Sequence, residues 1–166
     1  FEKAFADYVG AAYAVACSSG TAGLHLTALA LGLGRGDEVI VPTMTFLATA
    51  NAARYVGADV IFADVDAKTG MADKAALEAA IKRAASDGVK AIFPVHLNGQ
   101  CVDMEMVATL AAEHGLAVVE DACHALGTTY REGNGRCEDI SVGSCRHSDM
   151  AVFSLHPVKA MTMGEG

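Results

Sequence analysis

Short apolar runs alternate with helical-period stretches along the whole chain, and no other feature constrains the fold as much. Ala14-Val15-Ala16-Cys17 reads as a first strand, ended by Ser18-Ser19-Gly20. Thr21–Leu31 is apolar almost all round, which suits a buried helix. Glu38–Val41 is the next strand, stopped by Pro42, and Thr45–Val56 the next helix. Val60–Ala63 is a third strand. Asp73 caps a helix whose Ala76, Leu77, Ala80, Ile81 and Ala84 keep the helical period. Ala91–Val95 is a fourth strand, and Asp103 opens a helix that Gly115 stops. Leu116–Glu120 and Met150–Ser154 complete six expected strands, and polar, Gly-rich residues 128–149 between them read as a loop or irregular hairpin. This order predicts one α/β domain: a mostly parallel sheet with helices on both faces.

Composition narrows the function. The 166 residues are 52% apolar and 19% charged, which excludes intrinsic disorder. A net charge of −8 argues against a nucleic-acid or membrane-surface partner, although a local pocket can still hold a phosphate. No apolar run approaches the roughly 20 residues that span a bilayer. Cys17, Cys101, Cys123, Cys137 and Cys145 form no CxxC pair, so they read as reduced thiols in a cytoplasmic protein rather than a disulfide framework or zinc ribbon. Both ends read as cut, so the chain is expected to be a fragment.

On such sheets ligands bind beyond the carboxyl ends of the strands, so the residues just after each strand are informative. Ser18–Gly23 lies at a helix start, where small residues and free N–H groups favour an anion; a plain capped turn fits it too. It is neither a Walker A loop nor GxGxxG. Glu120-Asp121-Ala122-Cys123-His124 follows the fifth strand. There a carboxylate can face a cationic ring nitrogen, or Asp121 can simply cap a turn. Cys123 reads as a small core residue rather than a nucleophile. Lys159 follows the sixth strand in an apolar context, where a partly desolvated amine makes a nucleophile for a carbonyl; the alternative is a solvated surface lysine. Together, anion cradle, carboxylate and lysine are what pyridoxal phosphate requires. A metal-dependent hydrolase built on Asp121, His124 and His96 or His156 lacks HxxxH or clustered Cys spacing, so no metal site is expected.

With SSGTAGL (18–24), VPTMTFLATANA (41–52), HLNGQ (96–100), EDACHALG (120–127) and FSLHPVKAMTMGEG (153–166), the chain resembles the DegT/StrS-type sugar aminotransferases along its full length. The resemblance implies part of the large domain of the aspartate-aminotransferase-like fold, with the small C-terminal domain outside this chain. It implies an enzyme that binds pyridoxal 5′-phosphate. Lys159 would be the covalent partner and the catalytic base, and Asp121 the partner of the pyridinium nitrogen. His124 would lie near the cofactor's O3′, Gly20, Thr21 and Ser154 on its phosphate, and Phe46 stacked on its ring. An intact Lys159 disfavours the family dehydratases that carry His there; a family aminotransferase acting on another nucleotide-linked keto sugar and a non-catalytic cofactor-binding relative stay open. Residues 142–159 are most similar to members making 4-amino-4,6-dideoxy sugars of the pseudaminic acid type. That implies a UDP-linked 4-keto-6-deoxy-N-acetylhexosamine as substrate, an amino-acid donor such as glutamate, and a homodimer when full length. Residues 128–141 depart from close relatives and carry no legible motif. His25 is expected to be packed, His147 to lie on the surface, and His96 and His156 to have no assigned role.

Overall fold

The structure, a computed structural model, describes residues 1–84, 88–132 and 138–164. Its helices are α1 (Glu2–Val9), α2 (Gly20–Ala30), α3 (Leu47–Tyr55), α4 (Lys74–Arg83) and α5 (Met104–His114). Its strands are β1 (Glu38–Pro42), β2 (Asp59–Ala63), β3 (Val89–Ile92), β4 (Ala117–Asp121), β5 (Thr129–Tyr130), β6 (Ile140–Ser141) and β7 (Met150–Val152). Five of them form one parallel sheet in the order β2-β1-β3-β4-β7, and β5 and β6 pair as a small antiparallel hairpin.

Side-chain alternation along the strands divides the core in two. Val39, Val41, Ala91, Phe93, Val119 and Val152 pack with Leu24 and Ala28 of α2 and Ala48, Ala52 and Ala53 of α3. The intervening residues Ile40, Ile92 and Val118 face the other way, against Leu77 and Ala80 of α4 and Val107, Leu110 and Ala111 of α5. Helices therefore cover both faces, as the alternation of elements implies. The caps also follow the sequence: Asp73 accepts from Ala76 N at 2.8 Å, Asp103 from Met106 N at 3.0 Å, and Gly115 ends α5 at φ 65°.

Three strand expectations need correction. Ala14–Cys17 joins no sheet; Tyr13 and Val15 are exposed, and Ala16 N donates to Glu2 Oε1 at 2.8 Å rather than to a strand. Its small side chains offer little area to bury, so nothing draws it onto an edge. The fourth strand stops at Ile92 because Pro94 has no N–H for the ladder, although Val95 rejoins through a single bridge to Asp121. The last strand ends at Val152, two residues early, which frees Ser154 to turn toward the sheet's carboxyl rim while Phe153 packs on Phe5 with ring centroids 5.2 Å apart. Cys137 and Glu165-Gly166, named above in the cysteine set and the last motif, lie outside the described residues, as do 133–137 of the unassigned stretch.

Candidate active site

Close contact between α2 and β7 brings the helix start to the rim. A Cβ on Gly23 would lie 2.8 Å from Val152 Cγ1, and one on Gly20 would lie 2.9 Å from Cys123 Sγ and 3.0 Å from Ser154 Cβ. Only glycine at both positions lets the helix approach this closely. Ser19 caps it, its Oγ accepting from Ala22 N at 3.1 Å, so the first-turn N–H groups of Gly20 and Thr21 lie ahead of the helix's own carbonyl ladder. Here the sequence reading of a capped turn and that of an anion cradle prove compatible.

Asp121 ends β4 with the parity of Val119, so its side chain points to the α2–α3 face of the sheet. It is 5% exposed. Its Oδ1 accepts from Cys123 N at 3.2 Å and its Oδ2 from Thr49 Oγ1 at 2.5 Å; Thr49 in turn meets Thr45 Oγ1 at 2.7 Å. Thr49 belongs to the second motif quoted above, but its contact with Asp121 had no sequence signal beyond the two threonines four apart on a helix start. Burial, reinforced by the Asp121 carboxylate, pushes the Cys123 thiol far above its ordinary range. It is a spacer under Gly20, not a thiolate.

His124 turns its Nδ1 to Asn98 N, which donates to it at 3.3 Å. Partial burial, then the Lys159 ammonium, hold its pKa below the ordinary value against the opposing Asp121 charge. Beyond β7, Lys159 N donates to His156 O at 2.9 Å, closing a turn that presents the lysine. His156 N donates to Ser154 Oγ at 3.4 Å, and Val158 N to His156 Nδ1 at 3.4 Å, so the His156 ring is taken up by its own turn. Phe46, at the start of α3, is 64% exposed.

Gly20, Thr21, Phe46, Asp121, His124, Ser154 and Lys159 all line one cleft of about 390 Å³, joined by Thr45, Val95 and Leu97 from the ends of the neighbouring strands. The sequence-derived site residues are thus brought together at the expected rim. Chemically the cleft offers N–H groups and a hydroxyl for an anion at one wall, a buried carboxylate for a cationic nitrogen, and an amine for a carbonyl. His156 also lines the cleft, and His96, His25 and His147 lie elsewhere. His96 is fully buried on Glu120, and His25 packs on Tyr55 with ring centroids 5.3 Å apart. His147, expected on the surface, is only 17% exposed because its Nε2 meets Glu132 at 3.0 Å. Among the described residues no cluster of three or more His, Cys, Asp or Glu could hold a metal, and no helix is long and apolar enough to cross a membrane.

Comparison with known proteins identifies the family and the fold. The model of the DegT/DnrJ/EryC1/StrS aminotransferase family matches residues 1–166. The GDP-perosamine synthase of Caulobacter vibrioides is 47% identical over 166 residues, all of this chain and 41% of the relative. The aminotransferase from Psychrobacter cryohalolentis superimposes with a TM-score of 0.87 at 35% identity, over 99% of this chain and 38% of that one. NtdA from Bacillus subtilis, with bound cofactor PMP, gives a TM-score of 0.85 at 33% identity, over 99% of this chain and 34% of that one. The chain therefore spans about two fifths of the length of the curated relative.

Proposed function

The chain belongs to the DegT/DnrJ/EryC1/StrS aminotransferase family, and on that footing we propose that the full-length protein is a pyridoxal-phosphate-dependent sugar aminotransferase. The observation that carries this is one cleft holding the α2 N-terminus, the buried Asp121 carboxylate and Lys159. The donor set fits the cofactor: Gly20 and Thr21 N–H groups with Ser154 for its phosphate, Asp121 for the pyridinium nitrogen, Lys159 for the carbonyl carbon, exposed Phe46 for a ring face. Pyridoxal phosphate, when bound, supplies an electron sink that lets an amino group pass from donor to acceptor.

The chain's own residues do the rest. Asp121, fixed by Thr49 and Cys123 N, would present its carboxylate to a ring nitrogen without reorganising. Lys159 would hold the cofactor through its carbonyl carbon, and its amine would move the proton at the substrate carbon. His124 offers a hydrogen bond near O3′. The finer reading is amination at C4 of a UDP-linked 4-keto-6-deoxy-N-acetylhexosamine with glutamate as donor, in pseudaminic acid-type synthesis, by a cytoplasmic homodimer. This chain would be part of its cofactor-binding large domain. A second reading is favoured by the 47% identity to a GDP-perosamine synthase: a GDP-linked 4-keto-6-deoxy sugar in the same reaction.

Borohydride treatment of the full-length protein with pyridoxal phosphate should fix an adduct on the peptide holding Lys159, and Asp121→Asn should cut turnover on the order of 100-fold. An adduct on another lysine in active enzyme sinks the assignment. Turnover with UDP-linked against GDP-linked 4-keto-6-deoxy sugars decides between the two substrate readings.

A further inference from the structure

Behind the cleft, on the opposite side of β4, His96 is fully buried and both its ring nitrogens are engaged. Val102 N donates to Nδ1 at 3.2 Å, which puts the ring proton on Nε2, and Nε2 donates to Glu120 Oε2 at 2.9 Å. Glu120 is held in turn by Ser148 Oγ at 2.5 Å, and the backbone N of His96 donates to Asp121 O at 3.1 Å. His96 and Val102 bracket a short loop. Within it Asn98 sits in the left-handed region at φ 54°, and Gly99 O accepts from Thr128 Oγ1 at 3.0 Å. It is Asn98 N, at the tip of that loop, that donates to His124 Nδ1 at 3.3 Å.

We infer that His96 is a positioning residue: its bond to Val102 N clasps the loop so that the Asn98 N–H fixes His124 as the Nε2–H tautomer, a donor on the cleft. Within the loop Leu97, Gly99 and Cys101 are half-buried, but Asn98 at its tip and Gln100 are exposed, so burial alone does not fix the orientation of the Asn98 N–H. Asn tolerates the left-handed region better than other residues with a side chain, so the backbone conformation at 98 and the clasp point the same way. The other charged groups acting on the His124 ring are Asp121 from β4 and Lys159 from the segment after β7. What the donor serves rests on the function proposed above; the clasp itself does not.

Two pairs of variants in the full-length protein, labelled with 15N in histidine, test this. Asn98→Ala strains the left-handed backbone and should let the Nδ1–H tautomer of His124 appear in long-range proton–nitrogen spectra, whereas Asn98→Gly should keep the parental pattern. His96→Gln keeps a donor for Glu120 but loses the acceptor for Val102, and should behave like Asn98→Ala. His96→Asn keeps an acceptor where Nδ1 stands and should leave His124 closer to the parent. An unchanged His124 spectrum in Asn98→Ala or His96→Gln overturns the inference, as does an equal effect of the two His96 variants. Should the His96 variants not fold, amide exchange in the unmodified protein decides: Asn98 and Val102 should open together, within a few-fold, and orders-of-magnitude faster exchange at Asn98 overturns the clasp. Spectra are taken with and without added pyridoxal phosphate. A chain that shows the tautomer pattern but takes up no cofactor refutes the proposed function and leaves the clasp standing.

Discussion

Thr49 Oγ1 donates to Asp121 Oδ2 across 2.5 Å, joining two residues 72 positions apart at the floor of the cleft. Thr49 is fully buried and Asp121 nearly so, which makes the bond a charge-assisted one in a poorly solvated setting. Thr45 Oγ1 lies 2.7 Å behind it, completing a hydroxyl chain from the start of α3 to the end of β4.

Thr49→Val keeps the shape and removes the donor. Hydrogen bonds to charged groups contribute about 1.5–3 kcal/mol, so kcat/KM of the full-length enzyme should fall roughly 10- to 100-fold. Thr49→Ser should recover most of it. Parental kinetics for the valine variant would reduce this contact to packing.

The approach of α2 to β7 makes a second prediction. In Gly23→Ala the new methyl meets Val152 Cγ1 at 2.8 Å. Overpacking costs about 1–3 kcal/mol, while the alanine returns only about 0.5–1 kcal/mol of helix propensity, so the melting temperature should drop. Adding Val152→Ala should relieve the clash. The double variant is expected to be more stable than the sum of the singles by at least about 0.5 kcal/mol in denaturant titrations. Strict additivity would mean that the helix shifts instead.

Cysteine reactivity makes a third. Cys17 is exposed, whereas burial raises the thiols of Cys123, Cys145 and Cys101, the last to about 12. In a Cys137→Ser background at neutral pH, a maleimide should label Cys17 fast and the other three slowly. Mass mapping of the first adduct checks it; labelling that begins at Cys123 would show that the α2–β7 contact opens.

Much of this arrangement was legible from local pattern. Apolar alternation fixed the sheet and its helices because the inner strands of the parallel sheet bury both faces, and residues just past strand ends fall at the rim by topology alone. What escaped was of two kinds. Ala14–Cys17 has the composition of a strand but no partner, and pairing is a tertiary property that a four-residue run does not encode. Thr49 and the His96–Glu120 pair depend on register across the sheet: Glu120 and Asp121 are adjacent in sequence yet face opposite sides. A one-residue difference in strand parity decides which carboxylate reaches the cleft, and parity shows only when Val118 and Val119 are placed in their separate cores.

The last prediction concerns the charge on His124. Partial burial lowers its pKa most, the Lys159 ammonium lowers it further, and the Asp121 carboxylate opposes both. In the cofactor-free full-length protein its titration midpoint, followed by proton–nitrogen spectra, should lie below about 6.5, the value of an unperturbed histidine. Lys159→Met removes a like charge and should raise the midpoint; Asp121→Asn removes the opposite charge and should lower it. The sign carries over to stability. Because the folded ring resists protonation more than the unfolded one, its contribution is intact above the unfolded midpoint and is lost as the pH falls from there through the folded value. Between those two values the Lys159→Met protein should lose less stability on acidification than the parent. A midpoint that moves down in Lys159→Met would mean that the ammonium does not face the ring, and the cleft would then hold its lysine elsewhere.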